Sequence, residues 1–275
     1  MAKRSDIIAI FTLASLGSIA KIFGGIEFGS RALFIDALTC IANLVALALT
    51  THFLRLSLAP PDEDHPYGHY RVALGGPFST LLAYSFIGGI AVTELINVEP
   101  YRVSIYAAIC AGLGLLLYLG AILRARSVGG ALSTYAVFTW TEVFESSITI
   151  GAAVGGALLS YVIDYAGAIA ITTFIFYELI KEGREFLTII SDITHPELVY
   201  KISRDLERHG FKVKYVRIRR VSHNVYQGDV TIVLDPSISL DEAHRIADKV
   251  ERLLKEKYGV EVVVHVEPAR SSKTR

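Results

Sequence analysis

The chain is poor in cysteine and, over most of its length, in charge. Two cysteines in 275 residues cannot frame a disulfide scaffold. A hydrophobic content of 52% excludes a disordered or collagen-like chain. Lys+Arg and Asp+Glu both number 27, so no net positive charge points to a nucleic-acid partner, and none is expected. Patterns for an enzyme are missing too: no H-E-x-x-H, G-x-S-x-G or P-loop occurs. The scarcity of charge is local, because residues 1–190 hold 25 of the 54 charged side chains and the last 85 residues hold 29.

The charge-poor part is built from long apolar stretches at 6–25, 32–54, 76–97, 103–123, 129–162 and 164–180. Each is near or above the ~20 residues that a helix needs to cross a bilayer, which predicts six membrane-spanning helices. The first lacks an A-x-A-like exit and runs into Gly24-Gly25, so it reads as a helix of the mature protein rather than a cleaved signal. Lys3, Arg4, Arg55, Arg71, Arg124 and Arg126 flank one side of the spans, whereas the opposite connections hold only Arg31 and Arg102. The positive-inside rule then makes both termini cytoplasmic in a multi-pass protein of the cell membrane, surrounded by lipid. Cys40 and Cys110 fall inside spans and read as small packing residues.

From about residue 191 the pattern becomes that of a soluble domain. Leu198, Ile202 and Leu206 recur every four residues up to a stop at Gly210. Two segments of period two follow, then an amphipathic helix from a Ser239 cap to Gly259, then a last strand, VEVVVHVEP. The expected fold is therefore a polytopic helical membrane domain over residues 1–190, with a small α+β cytoplasmic domain of order helix-strand-strand-helix-strand over 191–268. Residues 269–275 form a polar tail.

Ionisable groups at membrane depth are expensive and mark function. Asp36 lies in the second stretch, Glu142 and Glu145 in the fifth, and Glu94 near the edge of the third, where a structural role is expected. At 3.6 residues per turn, Asp36, Thr39, Cys40 and Asn43 share one helix face. Phe138, Glu142, Glu145, Ser146 and Thr149 share another. If the two stripes face one another they make a cation site of hard oxygen ligands, and if not they stitch helices together. Between the second and third stretches, PPDEDHPYGHYR places Asp62, His65 and His69 within eight residues. That grouping suits a Zn²⁺-like ion, and equally a proline-punctuated polar turn.

The six-span plan, GSRALFIDAL in the second span, the motif D-x-x-H-x-x-G-H carried by Asp62, His65, Gly68 and His69, and the αββαβ tail together resemble the cation diffusion facilitator family of divalent-metal efflux transporters. The resemblance covers roughly residues 6–268 and implies a homodimer that exchanges a divalent cation for protons by alternating access. It implies a tail resembling a metallochaperone, with metal positions at His244, His265 and Glu267, whereas Tyr215 and Val233 stand where zinc exporters carry histidines. Arg71 and Asp192 match a basic and an acidic residue that pair between the membrane and tail domains. The chain departs from the family at the transport site, where the four ligand positions fall on Thr39, Asn43, Phe138 and Glu142. Only Glu142 keeps an ionised ligand. With Asp36 and Glu145 a turn away, a shifted oxygen-rich site of Asp36, Thr39, Asn43, Glu142 and Glu145 would favour Mn²⁺ or Fe²⁺ over Zn²⁺. The alternative is a transport-deficient member acting as a metal-responsive sensor or heterodimer partner.

Overall fold

A computed structural model describes residues 4–96, 99–128, 131–194, 196–222 and 225–269. The expected polar tail, from residue 270 onward, lies outside the described residues, as does the side chain of Phe138. The chain divides into two compact units, Met1–Leu54 with Gly75–Gly183, and Arg55–Leu74 with Arg184–Arg275.

The first unit is helical: α1 (Arg4–Glu27), α2 (Arg31–Ser57), α3 (Gly75–Ile96), α4 (Ile105–Val128), α5 (Ala131–Leu158) and α6 (Tyr161–Ile190). The last residues of α2 and α6 belong to the second unit. Among the described residues, five segments are long and apolar enough to cross a membrane, on α1, α2, α3 (with the short 3₁₀ turn before it), α4 and α6. The expected sixth span corresponds to α5, a continuous helix of 28 residues.

Lipid gives apolar helices no hydrophobic reason to associate, so their interfaces rely on small residues that allow close approach. Ala14 of α1 and Ala121 and Ala125 of α4 are fully buried around Tyr118. Ala32 of α2, Ala91 of α3 and Ala168 of α6 are fully buried with Ile35, Ile171 and Ile175 in a second cluster. Large apolar side chains such as Phe86, Leu116 and Leu123 point outward.

The N-terminus of α2 is held from another helix. Ser30 Oγ accepts the amide of Leu33 at 3.1 Å, which caps the helix locally. Asp164 of α6 accepts the Arg31 and Ala32 amides at 2.9 and 3.4 Å, the Ser30 hydroxyl at 2.5 Å and the Tyr101 hydroxyl at 2.9 Å. Amides that a helix start leaves without partners are thus satisfied by a fully buried carboxylate, placed where the helix dipole favours negative charge.

In the second unit, α7 (Pro196–Arg208), β1 (Lys212–Ser222), β2 (Val225–Leu234), α8 (Leu240–Tyr258) and β3 (Val260–Pro268) follow in the expected order. The sheet runs β1-β2-β3, with β1 antiparallel and β3 parallel to β2. Ile202 and Leu206 of α7 and Val250 and Leu254 of α8 are fully buried against Val230, Ile232 and Val260. Ser239 caps α8 through the Glu242 amide, and Gly259 ends it with φ +64°, a left-handed conformation that favours glycine. The segment Arg55–Leu74 joins this unit, where a 3₁₀ turn, Tyr70–Leu74, contacts β1.

Candidate functional site

The polar stripes of α2 and α5 meet. Asn43 Nδ2 donates to Glu142 Oε1 at 2.5 Å, and Tyr84 of α3 donates its hydroxyl to Asn43 Oδ1 at 2.6 Å. Cys40 Sγ donates to Glu142 Oε2 at 3.1 Å, and the Thr39 hydroxyl lies 2.9 Å from Glu145 Oε2. Asp36, Thr39, Cys40, Ser146 and Thr149 are fully buried, with Glu142 and Glu145 nearly so. Such a largely buried cluster of hydroxyl, amide and carboxylate oxygens can replace part of a hard cation's hydration shell. Glu94 takes no part in it: its backbone carbonyl accepts from Arg31.

Two features correct the sequence reading. Cys40 is not only a packing residue, because its thiol lies between Glu142 and a lysine. That lysine is Lys21 of α1, a buried cation that attention to acidic groups alone overlooks. Its Nζ stands 3.1 Å from Asp36 Oδ1, 3.0 Å from Asp36 Oδ2 and 2.7 Å from Ser146 Oγ. Asp36 is therefore engaged by an ammonium and is not a free ligand. The signal was present in the sequence: Lys21 interrupts the first apolar stretch, and the rule that singled out Asp36 applies equally to it.

Outside the helical cluster, Asp62, His65 and His69 come together in the second unit, their ligand atoms all within 4.8 Å of one another, a grouping that could hold a metal ion. The His65 backbone N–H donates to Asp62 Oδ1 at 2.7 Å and holds this carboxyl below the usual carboxylate range. Asp62 Oδ1 lies 3.1 Å from His65 Nδ1, and Oδ2 lies 3.4 Å from His69 Nε2. His69 Nδ1 faces the Pro60 carbonyl at 3.1 Å. A carbonyl only accepts, so Nδ1 donates there, which leaves Nε2, on the Asp62 side, as the ring nitrogen that could meet a metal. Gly68, at φ +82°, makes the turn that returns His69 to Asp62.

His244, His265 and Glu267 are not brought together. Among the described residues their ligand atoms form no group; Glu267 is paired with Lys214 at 2.7 Å and His244 lies 3.7 Å from Asp248. Arg71 and Asp192 do meet, with Nη2 3.0 Å from Oδ1, and Arg219 adds a 3.5 Å contact to Oδ2. Both partners of this half-exposed pair fall inside the second unit, because the loop that carries Arg71 packs there.

Comparison with known proteins matches two family profiles that together cover nearly the whole chain. The profile of the cation efflux transmembrane domain matches residues 7–191, and that of the cation efflux protein cytoplasmic domain matches residues 195–269. The chain is similar to the manganese efflux system protein MneS of Bacillus subtilis, 28% identical over 91% of this chain and 90% of the relative. It is also similar to the uncharacterized transporter YdbO of the same organism, 26% identical over 97% and 95%. The cation-efflux pump FieF of Klebsiella pneumoniae is 23% identical over 95% and 91%. Matched along nearly its whole length, the chain belongs to the cation efflux, or cation diffusion facilitator, family of membrane transporters and is not an enzyme.

Proposed function

We propose that the protein exports a hard divalent cation, Mn²⁺ foremost, through the cluster between α2 and α5. The observation that carries this reading is the contact of Glu142 with Asn43 and of Glu145 with Thr39, four oxygen-bearing side chains brought together at membrane depth, three of them buried and Asn43 half-buried. Oxygen ligands without imidazole favour Mn²⁺, or Fe²⁺, over Zn²⁺. The names of MneS and MneP, both manganese efflux proteins, point the same way. Proton exchange would use the same carboxylates, since a buried carboxylate can hold a proton until a cation displaces it. The chain would act as a homodimer through its cytoplasmic domain, with both termini in the cytoplasm.

The test is flux into proteoliposomes carrying a pH-sensitive dye. Mn²⁺ is expected to move faster than Zn²⁺ and to move protons in the opposite sense; a correctly folded dimer that moves no divalent ion sinks the reading. One observation favours the second reading, a transport-deficient sensor or heterodimer partner: Lys21 already occupies Asp36, which reduces the charge open to an ion. Co-purification with another family member that carries a full ligand set would support it.

Asp62, His65 and His69 would bind a regulatory ion at the cytoplasmic loop, with solvent completing the shell. His69→Ala is expected to weaken Zn²⁺ binding to the full-length protein at least tenfold, the loss of one ligand being worth about 1.4 kcal/mol or more. Calorimetry reads the change; an unaltered isotherm means that the three residues are only a turn.

A further inference from the structure

Lys21 of α1 is a fully buried ammonium. Elements from several parts of the bundle accommodate it. Asp36 and Cys40 of α2 and Ser146 of α5 surround Nζ, and Tyr118 of α4 offers its ring face 5.2 Å away. Helix α4 leaves a slot for the stem: a Cβ at Gly114 would stand 2.6 Å from Lys21 Cγ and 3.0 Å from Cε. Asp36 Oδ2 lies 3.0 Å from the ammonium yet has no aligned hydrogen-bond donor among the described residues. Lys21 thus neutralises this carboxylate without saturating it. Desolvating an ammonium is costly, and a fold retains one where opposite charge meets it and function uses it.

Resting on the exporter reading above, we propose that Lys21 is a tethered cation of the transport site, a specificity-determining residue that competes with the transported ion for the buried carboxylates. When all are ionised, Asp36, Glu142 and Glu145 with Lys21 leave two net negative charges, the amount that one divalent cation neutralises. Without Lys21 the site would carry three, hold the ion more tightly and release it more slowly. The ammonium takes the Asp36 end and leaves the oxygens of Glu142, Asn43, Thr39 and Glu145 to the ion. Because it is fixed to α1, it also sets how far toward α1 an ion can sit.

The experiment is Mn²⁺ binding by equilibrium dialysis to the full-length protein in detergent, with His65 and His69 both changed to Ala so that the loop does not contribute. Lys21→Met is expected to bind Mn²⁺ at least tenfold more tightly, about 1.4 kcal/mol, with slower efflux. Asp36→Asn, with one net charge, should bind at least about tenfold more weakly. The double variant Lys21→Met, Asp36→Asn regains two charges and should return to within about threefold of the parent.

Should Lys21→Met alone fail to fold, the double variant compared with Asp36→Asn decides, since neither leaves a lone buried Asp36 carboxylate. Equal affinity in those two, or unchanged or weaker binding in Lys21→Met, overturns the proposal; a purely structural lysine predicts weaker binding throughout. Glu142→Ala in the same background separates the two readings. If it abolishes binding while the Lys21 variants change nothing, only the tethered-cation inference fails. If the parent binds no Mn²⁺, the exporter reading fails and this inference with it.

Discussion

Glu142→Ala is expected to reduce Mn²⁺ efflux to the rate of protein-free vesicles. In the proposed site Thr39 and Asn43 carry only neutral oxygens, and Glu142 and Glu145 supply the charge left beside the Lys21–Asp36 pair. Losing Glu142 halves that charge, and one carboxylate with neutral oxygens repays too little of a divalent cation's hydration energy. Packing is a second consequence, since Asn43 and Cys40 both donate to this carboxylate. Glu142→Gln separates the two: it keeps the size and an accepting oxygen but removes the charge. It should melt close to the parent and still fail to transport. Flux that survives both substitutions would move the cation path away from α5.

Replacing Asp164 is expected to have the largest effect on stability. Asp164→Ala strands the Ser30 hydroxyl and two amides at the start of α2 around a fully buried position, and leaves the Tyr101 hydroxyl only its long 3.4 Å contact to the Tyr161 carbonyl. Each unsatisfied buried donor costs about 1–3 kcal/mol, with water relieving part of the total, so a net loss of roughly 3–5 kcal/mol is expected. At the entropy of unfolding of a domain this size, the midpoint in detergent should fall by at least roughly 6 °C. Asp164→Asn should fall less, because its amide oxygen can still accept one or two of these bonds. Efflux should decline with stability in both variants, because α2 carries Thr39 and Asn43. A midpoint within 1–2 °C of the parent, on the order of a few tenths of a kcal/mol, would mean that α2 is seated by packing alone.

How far the sequence reveals this protein depends on whether the signal lies within one helix or between two. In the soluble domain the signals are local. The spacing of Ile202 and Leu206, the Ser239 cap and the Gly259 stop each act within a few residues, and the observed elements follow them closely. The polar stripes of α2 and α5 were legible for the same reason, since 3.6 residues per turn suffices to draw a face. What one helix cannot disclose is its partner. Lys21 and Asp36 lie 15 residues apart on different helices, so no periodicity joins them. The role of Cys40 likewise appears only when Lys21 and Glu142 arrive from α1 and α5. His244, His265 and Glu267 rest on likeness to the family rather than on a local pattern: Glu267 pairs with Lys214, and His244 lies on α8, apart from the strand that carries the other two.

The packing of Arg55–Leu74 with Arg184–Arg275 bears on how the soluble part can be isolated. A fragment cut at residue 191 would follow the sequence boundary but omit a piece of its own fold. Asp192 would keep Arg219 and lose Arg71, and β1 would lose the 3₁₀ turn that it contacts. Metal titrations on such a fragment would also lack Asp62, His65 and His69, and would describe a different molecule. A faithful excised form has to splice the loop back, joining residues 55–74 to the C-terminal segment through an added linker.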